Sequence, residues 1–312
     1  YEVNLKILFQ QMLRKGHINS KQERDEILIS ATDEISELVL ANNRGQHRLI
    51  SMDSIRSNLN FRMFRKLISH LEENGMNKKI EKIPSWSELN QLENADMPLP
   101  RPVLCVLMAY SKMEVFDALS SSELPLEEEL TKYYFEYFPK TLRNSFGENI
   151  IDHPLKKEII STVLTNRITN QAGSTFISRM AHGSEQNIPD IVRIYLVMES
   201  SLEAETIREE LYSLTDISEK ERYEALIELE DVIKTLVRSV LIGQDLLPGF
   251  EKVEQFKALL QELIKHQEIS RNEEKSDLVL PEVGKTKEDE EITEESSSPS
   301  LDGIRASLLD LR

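Results

Sequence analysis

Cysteine is almost absent: Cys105 is the single one in 312 residues. One thiol excludes an internal disulfide framework and fits a reducing compartment. Long apolar runs are missing too. No segment approaches the ~18–20 apolar residues needed to cross a bilayer, and the first residues lack the basic-then-apolar pattern of a secretory leader. The expected location is cytoplasmic, with no membrane partner. Cations are scarce, 38 Lys and Arg against 55 Asp and Glu, for a net charge of −17. Nucleic acid is therefore not expected as a partner, because such binding rests on neutralising phosphates with Lys and Arg. Glycine is sparse and scattered, so no phosphate-cradling loop of the G-x-G-x-x-G or G-x-x-x-x-G-K-[ST] type occurs, nor a G-x-S-x-G elbow. Alternating apolar and polar runs are absent, as are hairpin dipeptides between β-branched segments, and no strand is predicted.

Helical signals are what remains. Apolar positions in residues 2–15 predict a first helix, with Gly16 placed to close it in the left-handed conformation. Tyr1 precedes a helix already under way, which leads to the expectation that this helix belongs to a body lying upstream. Ser20 followed by Glu23 has capping-box spacing, and Thr32-Asp33-Glu34 offers a second start. From about His47 to Glu73 the apolar series Ile55, Leu59, Met63, Leu67 and Leu71 predicts one long helix ended by Gly75. The stretch "EKIPSWSELNQLENADMPLPRP" carries four prolines and reads as an irregular crossing, with Trp86 pinning it to a neighbouring surface.

A second subregion opens at Pro102, where Val103, Val106, Tyr110, Met113 and Phe116 form one predicted face. "LTKYYFEYFP" is an aromatic-rich helix stopped by Pro139. "HPLKKEIISTVLTNRITNQ" starts at Pro154 and stacks Leu155, Ile159, Val163 and Ile168. Further helices are expected over about 174–182, 189–200, 202–213, 218–242 and 249–268. The helix from Glu219 to Ile242 carries a stripe of Tyr223, Leu226, Ile233, Val237 and Val240, which suits a docked, partly exposed helix. Between residues 267 and 300, eleven Asp or Glu face four Lys or Arg without an aromatic. Such a segment is expected to stay disordered, because it cannot bury enough apolar surface to offset its ordering entropy. "LDGIRASLLDLR" then reads as a short amphipathic tail helix. The fold class is all-α, an irregular multi-helix bundle with a disordered acidic segment near its C-terminus.

Candidates for chemistry are few. Cys105 sits among Val103, Leu104, Val106 and Leu107, which predicts burial as a small hydrophobe over a nucleophilic role. His17, His47, His70, His153, His182 and His266 are dispersed and offer no zinc-ligand spacing. Carboxylate pairs in "LEEEL" and "ELED" lie on helices whose solvated faces account for them. "NQAGSTF" alone hints at a site: Gly173 and Ser174 could present free backbone N–H groups to an anion, although a tight interhelical turn capped by Ser174 is favoured. No catalytic, cofactor-binding or metal residue is assigned.

Several long stretches resemble the large bacterial NAD-dependent glutamate dehydrogenases. "YEVNLKILFQQMLRKG" is similar to the end of their catalytic core, and "TDEISELVLANN" to a pattern that follows it. "LPRPVLCVLMAYSKMEVFDALSSSELPLE" resembles the family's "LTRPELAVLLAYAKIDLYDALLASDLPDD". The segment "YYFEYFPKTLRNSFGENIIDHPLKKEIISTVLTNRITNQAGSTFISRM" and the closing "ASLLDLR" also match in order and spacing. The acidic stretch near 267–300 departs most from the family.

The resemblance implies that residues 1–16 are the last helix of an upstream catalytic core. After it come a first helical subregion at 17–82, the proline-containing crossing at 83–101 and the main C-terminal helical domain at 102–266. An acidic linker at 267–300 and a tail helix at 301–312 complete the layout. The family's catalytic Lys and Asp, its substrate Ser and its dinucleotide-binding unit would all lie upstream. NAD is then a cofactor of the parent enzyme and is not bound by this segment. The implied role is a non-catalytic scaffold for the catalytic core and for subunit assembly in a homo-oligomer. An independent helical interaction module, or a gene remnant without activity, is the alternative. The scaffold reading also predicts a bare apolar face on the first helix, formed by Val3, Ile7, Leu8 and Met12.

Overall fold

The computed structural model describes residues 1–182, 186–243 and 247–262. Among these residues every regular element is helical. In chain order they are α1 (Glu2–Lys15), α2 (Lys21–Leu59), α3 (Phe61–Glu73), α4 (Trp86–Asn94), α5 (Arg101–Ser120) and α6 (Thr131–Glu136). There follow α7 (Lys140–Ile151), α8 (Lys156–Ala172), α9 (Phe176–His182), α10 (Ile188–Ser201), α11 (Ala204–Ser213) and α12 (Glu219–Gly243). A further helical stretch, α13, covers 253–262 after a short 3₁₀ turn at Phe250–Lys252. The acidic segment 267–300 and the tail 301–312 lie outside the described residues.

Helix α10 sits at the centre. Ile191, Val192, Ile194, Tyr195, Leu196, Val197 and Met198 are all fully buried, so the helix is apolar nearly all round, as an interior helix must be. Helices α5, α9, α11 and α12 pack around it, and α8 lies along α5. This main core takes in α1, α6, α7 and α13 as well. A second cluster joins α3, α4 and the first half of α5 through Phe61, Phe64, Ile68, Leu89 and Leu104. Helix α2 runs across the molecule and closes a third, small cluster by setting Met52 on Tyr223, Leu226 and Ile227 of α12.

Local chemistry fixes several helix ends as expected. Ser20 caps α2, accepting the Glu23 amide at 3.1 Å, and Gly16 closes α1 with φ +72°. The stripe of α12 is buried at all five predicted positions. Thr32 starts nothing, however. Its hydroxyl donates back to the Leu28 carbonyl at 2.9 Å, the bond a mid-helix threonine makes, and α2 continues unbroken.

Four readings of the chain are corrected by the structure. The helix expected from His47 to Glu73 breaks at Asn60, whose φ of −147° and ψ of 75° leave the helical region. The buried series Ser57, Phe61, Phe64, Ile68 and Leu71 keeps helical spacing across that break, so the pattern carries no trace of it. The series chosen from sequence drifts about 40° around the helix at each four-residue step, and Leu59 accordingly ends exposed. The crossing at 83–101 contains a true helix, α4, with a capping box between Ser85 and Glu88. On α5 the buried residues are Val103, Leu104, Leu107, Ser111, Val115 and Leu119; of the predicted face Val103 is buried, Val106, Tyr110 and Phe116 are half-buried and Met113 is exposed. Cys105 is exposed too, because it stands about 100° from Leu104 around the helix.

Trp86 does pin α4, with the Lys78 ammonium 3.8 Å from its ring centre. Glu34 of α2 serves a helix other than its own: it accepts the Thr141 amide at 3.1 Å, supplying the first turn of α7 with an acceptor that Pro139 cannot provide. The Thr141 hydroxyl, which also donates to this carboxylate, and then the amide hold the Glu34 carboxyl below its usual pKa.

The bare face expected on α1 is largely covered. Leu5, Leu8, Phe9 and Met12 are buried in the main core, while Val3 is exposed and Ile7 half-buried. Tyr1 stacks on Tyr137 at 4.4 Å, and buried His153 bonds the Asn4 carbonyl at 3.0 Å through Nε2. The Leu155 amide donates to His153 Nδ1 at 3.0 Å, which fixes Nε2 as the protonated nitrogen. The premise for association through this helix is thereby lost. Leu8→Ala is expected to lower the unfolding free energy by about 3 kcal/mol, and Val3→Ala to leave it within about 0.5 kcal/mol. Urea unfolding followed by circular dichroism measures both.

Candidate functional site

The "NQAGSTF" turn is where the chain gathers buried polar groups. Gly173 follows α8 with φ +94°, a conformation reserved for glycine. A Cβ there would stand 2.6 Å from Arg56 Nη1 and 2.8 Å from Asp53 Oδ1. The backbone approaches that closely because α2 presents Asp53 and Arg56, three residues apart on one face, directly to the turn. The Ser174 amide donates to Asp53 Oδ2 at 3.1 Å, Arg56 Nη2 donates to the Gln171 carbonyl at 3.0 Å, and the two side chains pair at 3.0 Å. From the other side Ser111 donates to the Ser174 carbonyl at 3.0 Å.

The anion-friendly amide is therefore real, but its anion is the chain's own carboxylate. Ser174 does not act as a side-chain cap; its Oγ is buried without a hydrogen-bond partner, as is Arg56 Nε. Lys234 of α12 lies close behind. It is buried and pairs with Asp231 at 2.9 Å. Burial, followed by the positive charge of Arg56, lowers its pKa to about 8.

A second buried network sits between α8, α10, α11 and α12. Arg208 bonds both Glu199 and Glu230, and the Tyr195 hydroxyl donates to Glu230 at 2.9 Å. Arg167 donates to Glu199 at 2.9 Å and to the more exposed Glu205 at 2.8 Å. Burial raises the Tyr195 pKa well above its ordinary value, with Glu230 and Glu199 adding to it. No periodicity argument finds this network, since Glu199 and Glu230 look like ordinary helix-surface acids in the sequence. Their one signal was position on faces otherwise apolar.

In the Arg208 network each charge is met by a partner from another helix, and in the first the Asp53–Arg56 pair of α2 is tied to the backbone of the Gly173 turn, the arrangement of a specificity device. Neither brings together a nucleophile and a base. Among the described residues no group of three or more His, Cys, Asp or Glu stands where it could hold a metal ion. His70 pairs with Glu114 at 2.8 Å and His153 is consumed in packing.

Gly173→Ala is expected to cost about 2–5 kcal/mol of stability, from backbone strain and the two close contacts. Guanidinium unfolding checks it. The folded-state pKa of Lys234 lies below that of the unfolded chain. Between pH 8 and about 10 the unfolded chain thus holds a proton that the folded chain has released, and stability rises with pH. Lys234→Met should add about 1–3 kcal/mol at pH 7 and flatten that rise, as urea unfolding at pH 7, 8, 9 and 9.5 would record.

The family described as "Glutamate dehydrogenase, C-terminal" matches residues 96–282. "Bacterial NAD-glutamate dehydrogenase, catalytic domain" matches residues 1–53. The NAD-specific glutamate dehydrogenase of Halomonas elongata is 26% identical over 265 residues, 84% of this chain. Those of Pseudomonas aeruginosa and Mycobacterium tuberculosis are each 32% identical over 64% of it. The chain spans 16% of the first relative's length and 12% of each of the others. Among the described residues no helix is long and apolar enough to cross a membrane. Covered over most of its length by these two matches, the chain belongs to the bacterial NAD-specific glutamate dehydrogenase family.

Proposed function

We propose that the chain is the non-catalytic helical part of an NAD-dependent glutamate dehydrogenase, bracing the catalytic core of that enzyme. The parent reaction is the oxidation of L-glutamate by NAD and water to 2-oxoglutarate, ammonium and NADH. One observation carries this reading. Helix α2 is a single uninterrupted rod of 39 residues, roughly 58 Å long at 1.5 Å per residue. Its first part lies in the stretch matching the family's catalytic domain, and its last turns are clamped into the C-terminal body through Asp53, Arg56 and Ser57. A rod anchored along one side in a helical body can hold whatever packs on its exposed side at a set distance and angle.

Hydride transfer between glutamate and nicotinamide needs a cleft that closes between two domains, and closure needs a fixed frame to move against. The first part of α2 is mostly solvent-exposed and displays Ile29, Val39 and Leu40. In the proposed arrangement the catalytic core covers these residues. Such enzymes work as homo-oligomers in the cytoplasm in this reading, and NAD is held by the core alone.

A second reading, an independent helical interaction module, is favoured by the coverage of α1 by its own chain. Co-expression with the region encoded upstream separates the two. The scaffold reading expects a stable complex with glutamate-dependent NADH production at 340 nm. Ile29→Glu with Leu40→Glu should weaken that complex while leaving the melting temperature of this chain unchanged. A complex that never forms, or one indifferent to these substitutions, would sink the scaffold reading.

A further inference from the structure

Helices α3, α9 and α12 meet around a cavity of about 580 Å³, within the size range of small-molecule sites. Its lining is cationic in a chain whose net charge is −17. Arg62 and Lys66 come from α3, Arg179 from α9 and Arg238 from α12; Glu73 is the single acidic residue among the described lining. Met63, Leu241 and Ile242 supply apolar surface beside them.

Several buried or half-buried cations elsewhere in this molecule are paired with acids. Arg56, Arg167, Arg193 and Arg208 each bond a carboxylate. The four lining the cavity are solvent-exposed, and none of their side chains has a hydrogen bond or ion pair among the described residues. Arg179 and Arg238 also act on one another. Partial desolvation lowers the Arg179 pKa, Asp231 pulls it back up, and Arg238 and Arg56 add smaller lowering effects. Like charges drawn from three helices into one concavity are a standing repulsion, and a concave wall focuses their field. A bound anion relieves that repulsion, and guanidinium groups are suited to forked bonds with phosphate or carboxylate oxygens.

We propose that this cavity binds a small molecule carrying two or more anionic groups, with Arg179 and Arg238 as its principal contacts. The cavity lining shares no residue with either buried network, and the proposal stands whether or not the chain braces a dehydrogenase. Phosphate and carboxylate sources share the required chemistry, so the test uses one of each.

Isothermal titration of the 312-residue chain with sodium pyrophosphate and with sodium citrate, at about 50 mM salt to limit screening, should give saturable binding of at least one, with one ligand per chain. Pyrophosphate alone would assign a phosphate-bearing ligand, citrate alone a polycarboxylate, and both a site that reads charge. Arg179→Ala with Arg238→Ala should weaken binding by about tenfold or more. Glu73→Gln should tighten it, because it removes the repelling carboxylate. All three positions are exposed, so the variants should keep the wild-type melting curve. Absence of saturable binding by both probes, or equal binding by wild type and the double variant, would overturn the proposal.

Discussion

The arrangement of the molecule depends on the clamp between α2 and the turn at Gly173. Helix α2 is mostly exposed over its first half, where Ala31 and the bonds of Glu34 to Thr141 attach one side of it to the main core. It is held where Leu49, Met52, Asp53, Arg56 and Ser57 go under, and the polar members of that set do the aligning. Asp53 meets a backbone amide, Arg56 a backbone carbonyl, and Ser57 accepts the Leu99 amide at 3.0 Å ahead of α5. Burying this ion pair costs desolvation that its Coulomb attraction only partly returns. What it provides is register, because a one-residue slip of α2 would leave the Ser174 amide and the Gln171 carbonyl without these partners in a dry interior.

The network around Arg208 applies the same constraint to α10, α11 and α12. Helix α10 is apolar enough to rotate about its axis with little loss of burial. Tyr195 and Glu199 remove that freedom by demanding Glu230 and Arg208 at fixed positions. The hydrophobic core sets which helices come together, and the two ionic knots set their angles.

Much of this was legible in the sequence and some was not, for identifiable reasons. The all-helical class, the caps at Ser20 and Gly16 and the stripe of α12 depend on neighbours within one or two turns, which a sequence displays. The break at Asn60 was hidden because burial keeps its spacing on both sides. Cys105 was misplaced because a run of apolar neighbours says that a helix is buried but not which side of it. On α1 the chosen set of Val3, Ile7, Leu8 and Met12 shares two members with the buried set, the phase being wrong by part of a turn. Helix α4 was announced by Ser85 and Glu88, and four flanking prolines outweighed that signal. The hint at Gly173 and Ser174 correctly located a demand for negative charge. Only the fold could reveal that residue 53 meets it, 121 positions away.

The coverage of α1 changes where a partner would have to sit. A helix with Leu5, Leu8, Phe9 and Met12 inside its own chain's core has no apolar side left to offer, and Val3 alone is too little to hold another domain. The apolar side chains left outside in the stretch matching the catalytic domain are instead Ile29, Val39 and Leu40 on α2. Ile29 and Leu40 are eleven residues apart, close to three full turns, so they point in nearly the same direction. In the proposed enzyme α1 is thus a fixture of the scaffold, and the exposed half of α2 is the surface that meets the core. Any displacement of the core relative to that surface would be carried along α2 to the clamp at Gly173, whose closed set of partners leaves the rod little room to shift.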